Sequence, residues 1–247
     1  MGAVVQCVSV CDVCWNVKTK LTHRLSIQAQ PRVDFVVIIN PSSGPGNTTT
    51  PSDEYTQQVV QLNGVKSVKT VGYVRTNYTN RPINDVLADV RTYAGWSSAN
   101  ANLSMHGIFL DESPHQYTDS AASYMRTVTS AIKSSTGIQG QKLVIRNPGT
   151  IPDPRFNDTN TDVVVFFESD YTSYQNQVSS LQAQPDTRSK YSIMVNSAPS
   201  MSTGGLRNYV VGLSRLAEYL FITDNTQDYY ESFGSDWNEF TSVVPTN

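Results

Sequence analysis

Cysteine is confined to one end of this chain: Cys7, Cys11 and Cys14 are all that 247 residues contain. The remaining length forms no disulfide with itself, and its fold rests on a packed core. Positive charge is scarce as well. Lys and Arg number 18 against 21 Asp and Glu, a net charge of −3, which leaves no broad basic surface to displace counterions from a nucleic-acid backbone, so no nucleic-acid partner is expected. No apolar run approaches the about 20 residues needed to cross a bilayer. The three histidines are not spaced as ligands, His106 lying within an apolar run and His115 in the polar segment after it, so neither a metal nor another cofactor is expected. The first residues lack an early positive charge, and Gln6, Ser9 and Asp12 interrupt their apolar stretch, which makes a poor signal peptide. With only 16% charged residues, solubility falls to Ser, Thr, Asn, Gln and Tyr, a composition suited to an extracellular protein that handles sugars.

What is present has a rhythm. Short apolar runs at 33–39, 68–74, 105–110, 142–145, 162–167, 191–195 and 217–222 read as buried strands, and the segments 52–63, 83–96, 117–135, 173–184 and 205–216 between them have helical character. Strand followed by helix, repeated, means parallel pairing, and the chain has the length of one α/β barrel. A doubly wound nucleotide fold would need a glycine-rich first turn, but the loop at 40–46 carries Pro41 and Pro45, which lack the N–H groups a phosphate requires. Polar residues instead end most of the runs, as they do where all strand ends meet at one site. The expected fold is therefore a (β/α)8 TIM-type barrel. Its eighth strand must lie before residue 33, where residues 3–10 are the sole candidate, and the tail at 228–240 reads as a short helix or cap.

Among the polar run ends, two acids stand two strands apart, Asp111 after GIFL and Glu168 after VVVFF. That spacing brings carboxyl groups within about 5 to 6 Å, the separation of a retaining glycosidase. Asp111 is the expected nucleophile. Glu168, in apolar surroundings that favour its protonated form, is the expected general acid, with Glu112 as its alternate or an orienting partner. Asn40, Arg75, Asn77, Tyr78, Asn147 and Asn196 are candidates to bind sugar hydroxyls or an acetamido group, and Tyr73 or Tyr171 to stack on a sugar face. Trp96 reads as a packing residue. The spacing Cys7-x3-Cys11-x2-Cys14 matches that of radical enzymes holding a 4Fe–4S cluster. Val13 stands where an aromatic residue usually precedes the last cysteine, and no glycine-rich cofactor segment follows, so a loose extension is the preferred reading.

Residues 36–46 (VVIINPSSGPG), 71–78 (VGYVRTNY), 85–96, 107–112 (GIFLDE), 147–153 (NPGTIPD), 164–169 (VVFFES), 197–201 (SAPSM), 219–224 (YLFITD) and 229–234 (YYESFG) together resemble, in unbroken order, the spherulin-4-like family of secreted or cell-surface glycoside hydrolases of fungi and slime moulds. The resemblance implies a (β/α)8 barrel that cleaves an α-1,4-linked N-acetylgalactosamine polysaccharide such as galactosaminogalactan, without metal or organic cofactor. It places the family's acids on Asp111, Glu112 and Glu168. Two departures accompany it. Residues 1–28 do not resemble the family's start, so the first barrel strand is expected to be missing or replaced there, as by a gene-model artefact, with the catalytic barrel at 29–247. Asn196 stands where the family places a histidine, which predicts weakened activity or altered specificity. The main expectation is a monomeric, endo-acting, retaining hydrolase with a polysaccharide as its partner. Its rival is a non-catalytic carbohydrate-binding or spore-coat protein on the same barrel.

Overall fold

The computed structural model describes residues 2–9, 27, 30–184 and 187–246. Its elements follow one another as β1 (Val4–Ser9), β2 (Asp34–Ile39), α1 (Asp53–Asn63), β3 (Val68–Arg75), α2 (Ile83–Ala99), β4 (Gly107–Asp111), α3 (Asp119–Ser134) and β5 (Leu143–Arg146), then β6 (Val163–Asp170), α4 (Tyr171–Gln182), β7 (Tyr191–Asn196), α5 (Thr203–Ser214), β8 (Tyr219–Ile222) and α6 (Trp237–Val243). All eight strands are parallel and close into a barrel in sequence order. The five helical segments read between the apolar runs are all present as helices. Between β5 and β6 the chain runs as a loop through residues 147–162 rather than as a helix.

Four of the six described helices start where a short polar side chain can accept from a free N–H. Ser52, Thr118, Asp170 and Ser202 cap α1, α3, α4 and α5, taking bonds from Tyr55, Ala121, Ser173 and Gly205 respectively. Asp170 is also the last residue of β6, so strand passes into helix without a linker.

The first barrel strand, expected to be missing or replaced, is present. Val4–Ser9, within the segment that does not resemble the family's start, pairs with β2 along its whole length from Val4↔Asp34 to Ser9↔Ile39. On its other edge it meets β8 only through Val4↔Tyr219 and Val5↔Leu220. The two ends of the described chain also touch, Ala3 N–H donating to the Pro245 carbonyl at 2.7 Å. Cys7 lies on β1, whereas Cys11 and Cys14 fall outside the described residues. No helix among the described residues is long and apolar enough to cross a membrane.

Inside the wall of strands, Ile38, Ile39, Val71, Val74, Ile108, Leu110, Ile145, Val165, Ile193 and Leu220 are almost wholly buried, as strands with helices on the outside and side chains within require. Trp96 is buried too, edge-on to Tyr93 at 4.7 Å, the packing role expected of it. Tyr93 in turn lies directly over Gly72 of β3 and donates its hydroxyl to the Ile39 carbonyl at 2.8 Å. A Cβ at position 72 would come within 2.6 Å of the Tyr93 ring. Gly72→Ala should therefore push α2 off the barrel at a cost of about 1–3 kcal/mol, read as a lowered Tm against the parent. An unchanged Tm would show that α2 yields at no cost.

Candidate active site

At the C-terminal ends of the strands a cavity of about 480 Å³ is lined by Asn40, Tyr73, Phe109, Asp111, Asn147, Glu168, Met194 and the loop residues Asp228, Tyr229, Tyr230 and Glu231. Side chains on a strand alternate between faces, so Phe109 and Asp111 of β4 both enter the cavity while Leu110 and Glu112 turn away. Glu168 arrives differently. The register of β6 against β7 slips by one residue between Val165 and Phe167, leaving Phe166 as the extra residue of a bulge. Beyond the slip Phe167 packs edge-on to Tyr174 of α4 at 5.7 Å, and Glu168, opposite Met194, faces the cavity.

Asn147, the first residue after β5, lies between the two acids. Its Nδ2 donates to Asp111 Oδ1 at 2.8 Å and to Glu168 Oε2 at 2.5 Å. Its Oδ1 accepts from Gly149 N–H at 3.0 Å, which fixes the amide so that its two hydrogens point at the carboxyls. These two bonds laid end to end hold the two carboxyl oxygens no more than about 5.3 Å apart, within the separation typical of retaining glycosidases. Each acid has a second donor as well. Tyr73 donates to Asp111 Oδ2 at 2.6 Å, and the Tyr230 hydroxyl donates to Glu168 Oε1.

Burial pushes the Asp111 carboxyl up, against the pull of the Tyr73 and Asn147 hydrogen bonds. Glu168 is pushed up by burial first and by the charge of Asp111 second, with Tyr230 and Asn147 opposing. Burial likewise raises both phenols, so Tyr73 and Tyr230 keep their protons and remain donors. The charge of Asp111 thus adds to burial in favouring the protonated form of Glu168.

The other residues expected at the site fare unequally. Asn40 lines the cavity, its side-chain oxygen accepting from Gly44 N–H at 3.0 Å. Glu112 does not join Asp111 and Glu168; it pairs with Arg75 Nε at 2.8 Å on the outer side of the strand ends. Arg75, Asn77 and Tyr78 do not line the cavity, and Asn77 and Tyr78 form a short 3-10 turn with Tyr78 half-exposed. Asn196 is buried at the end of β7, where its side-chain oxygen accepts from the Ser197 hydroxyl at 2.9 Å. Tyr171 packs against Tyr209 at 5.3 Å and is not among the residues lining the cavity. Tyr73, expected as a stacking platform, has its hydroxyl on Asp111. Tyr230 was not singled out as a site residue; its one signal was its place in the YYESFG motif. Among the described residues no three His, Cys, Asp or Glu side chains are grouped to hold a metal.

The model of the spherulation-specific family 4 matches residues 20–244. Spherulin-4 of Physarum polycephalum is 32% identical over 202 residues, covering 79% of this chain; the chain spans 57% of that relative's length. Aspergillus clavatus Sph3, whose crystal structure is in complex with GalNAc, superposes with a TM-score of 0.92 at 33% identity, covering 98% of this chain and 97% of its own. The GH18 chitinase ChiB of Flavobacterium johnsoniae shares the fold alone, with a TM-score of 0.54 at 11% identity over 98% of this chain and 92% of its own.

A carboxyl with a raised folded-state pKa holds its proton more tightly in the folded than in the unfolded chain. Its stabilising contribution is complete below the unfolded pKa and is lost as pH rises through the folded one. Glu168→Gln removes the charge, with the new amide oxygen facing Asn147 and its NH2 facing the Tyr230 oxygen. Its Tm at pH 7–8 should exceed that of the parent by about 2–4 °C, and the gain should vanish near pH 4, below about the unfolded pKa. A gain independent of pH would assign the effect to packing.

Proposed function

The chain belongs to the spherulation-specific family 4, and from that premise we propose that it is a glycoside hydrolase cleaving an α-1,4-linked N-acetylgalactosamine polysaccharide of the galactosaminogalactan type, within the chain and with retention. The observation that carries the reading is the pair of carboxyls tied to one amide at the barrel mouth. The GalNAc held by Sph3 supports an N-acetylhexosamine as the sugar.

In this reading Asp111 is the nucleophile. It sits on the shorter arm of the pair, at the end of β4, with hydrogen bonds from Tyr73 and Asn147 favouring its ionised form. Attack on the anomeric carbon forms a glycosyl ester and breaks the bond to the leaving oxygen, which takes the proton of Glu168. Glu168, now ionised, removes a proton from a water molecule whose oxygen attacks the same carbon, releasing Asp111 and restoring both groups. Asn147 holds both acids through each half of the cycle, and donates more strongly to whichever is charged. Asn40 and the loop residues Asp228, Tyr229 and Glu231 line the cavity wall, and in this reading they meet the sugar hydroxyls.

Asp111→Asn and Glu168→Gln should each lower polysaccharide cleavage by about 10³-fold or more with circular dichroism unchanged, and proton NMR of the first product should show the anomeric configuration of the substrate. Full activity in either variant would remove these residues from the chemistry. Binding of the polymer by the purified parent without cleavage would favour a carbohydrate-binding role.

A further inference from the structure

Tyr230 comes to the site on a strap that neither strand nor helix supports, residues 223–236 between β8 and α6. Its ring rests against Phe221 and Tyr229, with centroids 5.7 and 4.7 Å away, and its hydroxyl donates to Glu168 Oε1 while Asn147 holds Oε2. The two donors are secured differently. Asn147 is locked between Asp111 and Gly149 N–H, whereas Tyr230 stands wherever the strap places it.

Where the strap begins and ends, two carboxyls meet. Asp224 follows β8, Asp236 precedes α6, and the Ser235 hydroxyl donates to Asp224 Oδ2. Asp224 Oδ1 and Asp236 Oδ1 are both buried with no hydrogen-bond partner among the described residues. They crowd one point: a Cβ at Gly234 would overlap Asp224 Oδ1 and come within 2.9 Å of Asp236 Oδ1. Two buried carboxyl oxygens without a donor stay together only when a proton lies between them, since two ionised groups would repel and both would lack solvation.

We infer that Tyr230 is a positioning residue for Glu168, and that the strap carrying it is held in place by one proton shared between Asp224 and Asp236. The inference rests on the reading of Glu168 as the proton donor. Burial, and then the charge of Asp224, push the Asp236 carboxyl up to about 6. Burial also acts to raise Asp224, but hydrogen bonding, with the Ser235 hydroxyl foremost, outweighs it and holds that group low, so the proton resides on Asp236. The titratable groups facing Glu168 are Asp111 from β4 and Tyr230 from the strap; Asp224 faces Asp236. Below the Asp236 midpoint the strap is pinned and Tyr230 meets Glu168. Above it the pair repels, the strap loosens, and Glu168 loses one of its two donors.

Two measurements test this without using turnover. Infrared difference titration, with Glu168→Gln identifying the Glu168 band, should place the Glu168 midpoint higher in Tyr230→Phe by about one pH unit, because a donor to the ionised form is gone. An unchanged midpoint would overturn the positioning role. Hydrogen exchange over residues 225–236, corrected for intrinsic rate, should show protection falling by about tenfold or more between pH 5 and pH 8 in the parent. Protection should persist in Asp236→Asn, whose amide hydrogen does not titrate. Protection independent of pH in the parent, or an equal fall in Asp236→Asn, would overturn the shared proton. Failure of the hydrolase reading would appear elsewhere, as undiminished cleavage by Glu168→Gln, and would leave both outcomes readable.

Discussion

The Asn147 amide has two hydrogens and gives one to each acid, and the Gly149 N–H on its oxygen prevents it from turning over. That arrangement sets the distance between Asp111 and Glu168, which come from strands separated by β5, the strand that Asn147 follows. Backbones two strands apart start about 9 to 10 Å from one another, and inward-pointing side chains shorten that gap. An amide centred between them draws both inward and compensates for their burial. Tyr73 and Tyr230 complete the set on the outer oxygens, so the pair is held at four points by groups that remain donors.

The barrel was legible because its apolar runs are short, regularly spaced and interrupted by helical segments, and because burial on both faces leaves little choice of residue within them. Asp111 and Glu168 stand out in the sequence for the opposite reason: each is an acid placed directly after such a run, and the structure brings both to one cavity. Asn147 was visible as a strand-end amide, but its role was not, since a sequence does not show which of two neighbours an amide will bond. Glu112 and Arg75 show the limit of reading strand ends. The strand face that takes Asp111 inward sends Glu112 outward, where Arg75 meets it. The bulge at Phe166 and the strap bearing Tyr230 leave no period in the sequence, because each depends on a local break in regular pairing.

Burial both creates the site and strains it. Placing two acids and two phenols at the top of a hydrocarbon barrel raises the pKa of every one of them; the phenols are neutral at pH 7 whether folded or not, so it is for the two carboxyls that the folded state bears a cost at neutral pH. A closed wall of Val, Ile, Leu and Phe tolerates it, because such walls bury far more apolar area than the few polar groups give back. Arg146, one residue before Asn147, shows the same tolerance. Its guanidinium is buried, with the Pro114 carbonyl at 3.1 Å and the Phe156 ring beneath it, and burial lowers it to about 10.

The seam between β1 and β8 is narrow, two residue pairs against six on the other edge of β1, and it joins segments that lie almost the whole chain apart. Such a contact closes a loop of almost the whole chain for no more pairing than β5 and β6 gain across a short loop, so the barrel can zip from neighbour to neighbour everywhere except here. Loop-closure entropy therefore weighs more heavily on this seam than on the others, and favours its forming after them. Until then the edges of β1 and β8 are bare templates for strand pairing between molecules, and aggregation during synthesis has its natural starting point at that gap.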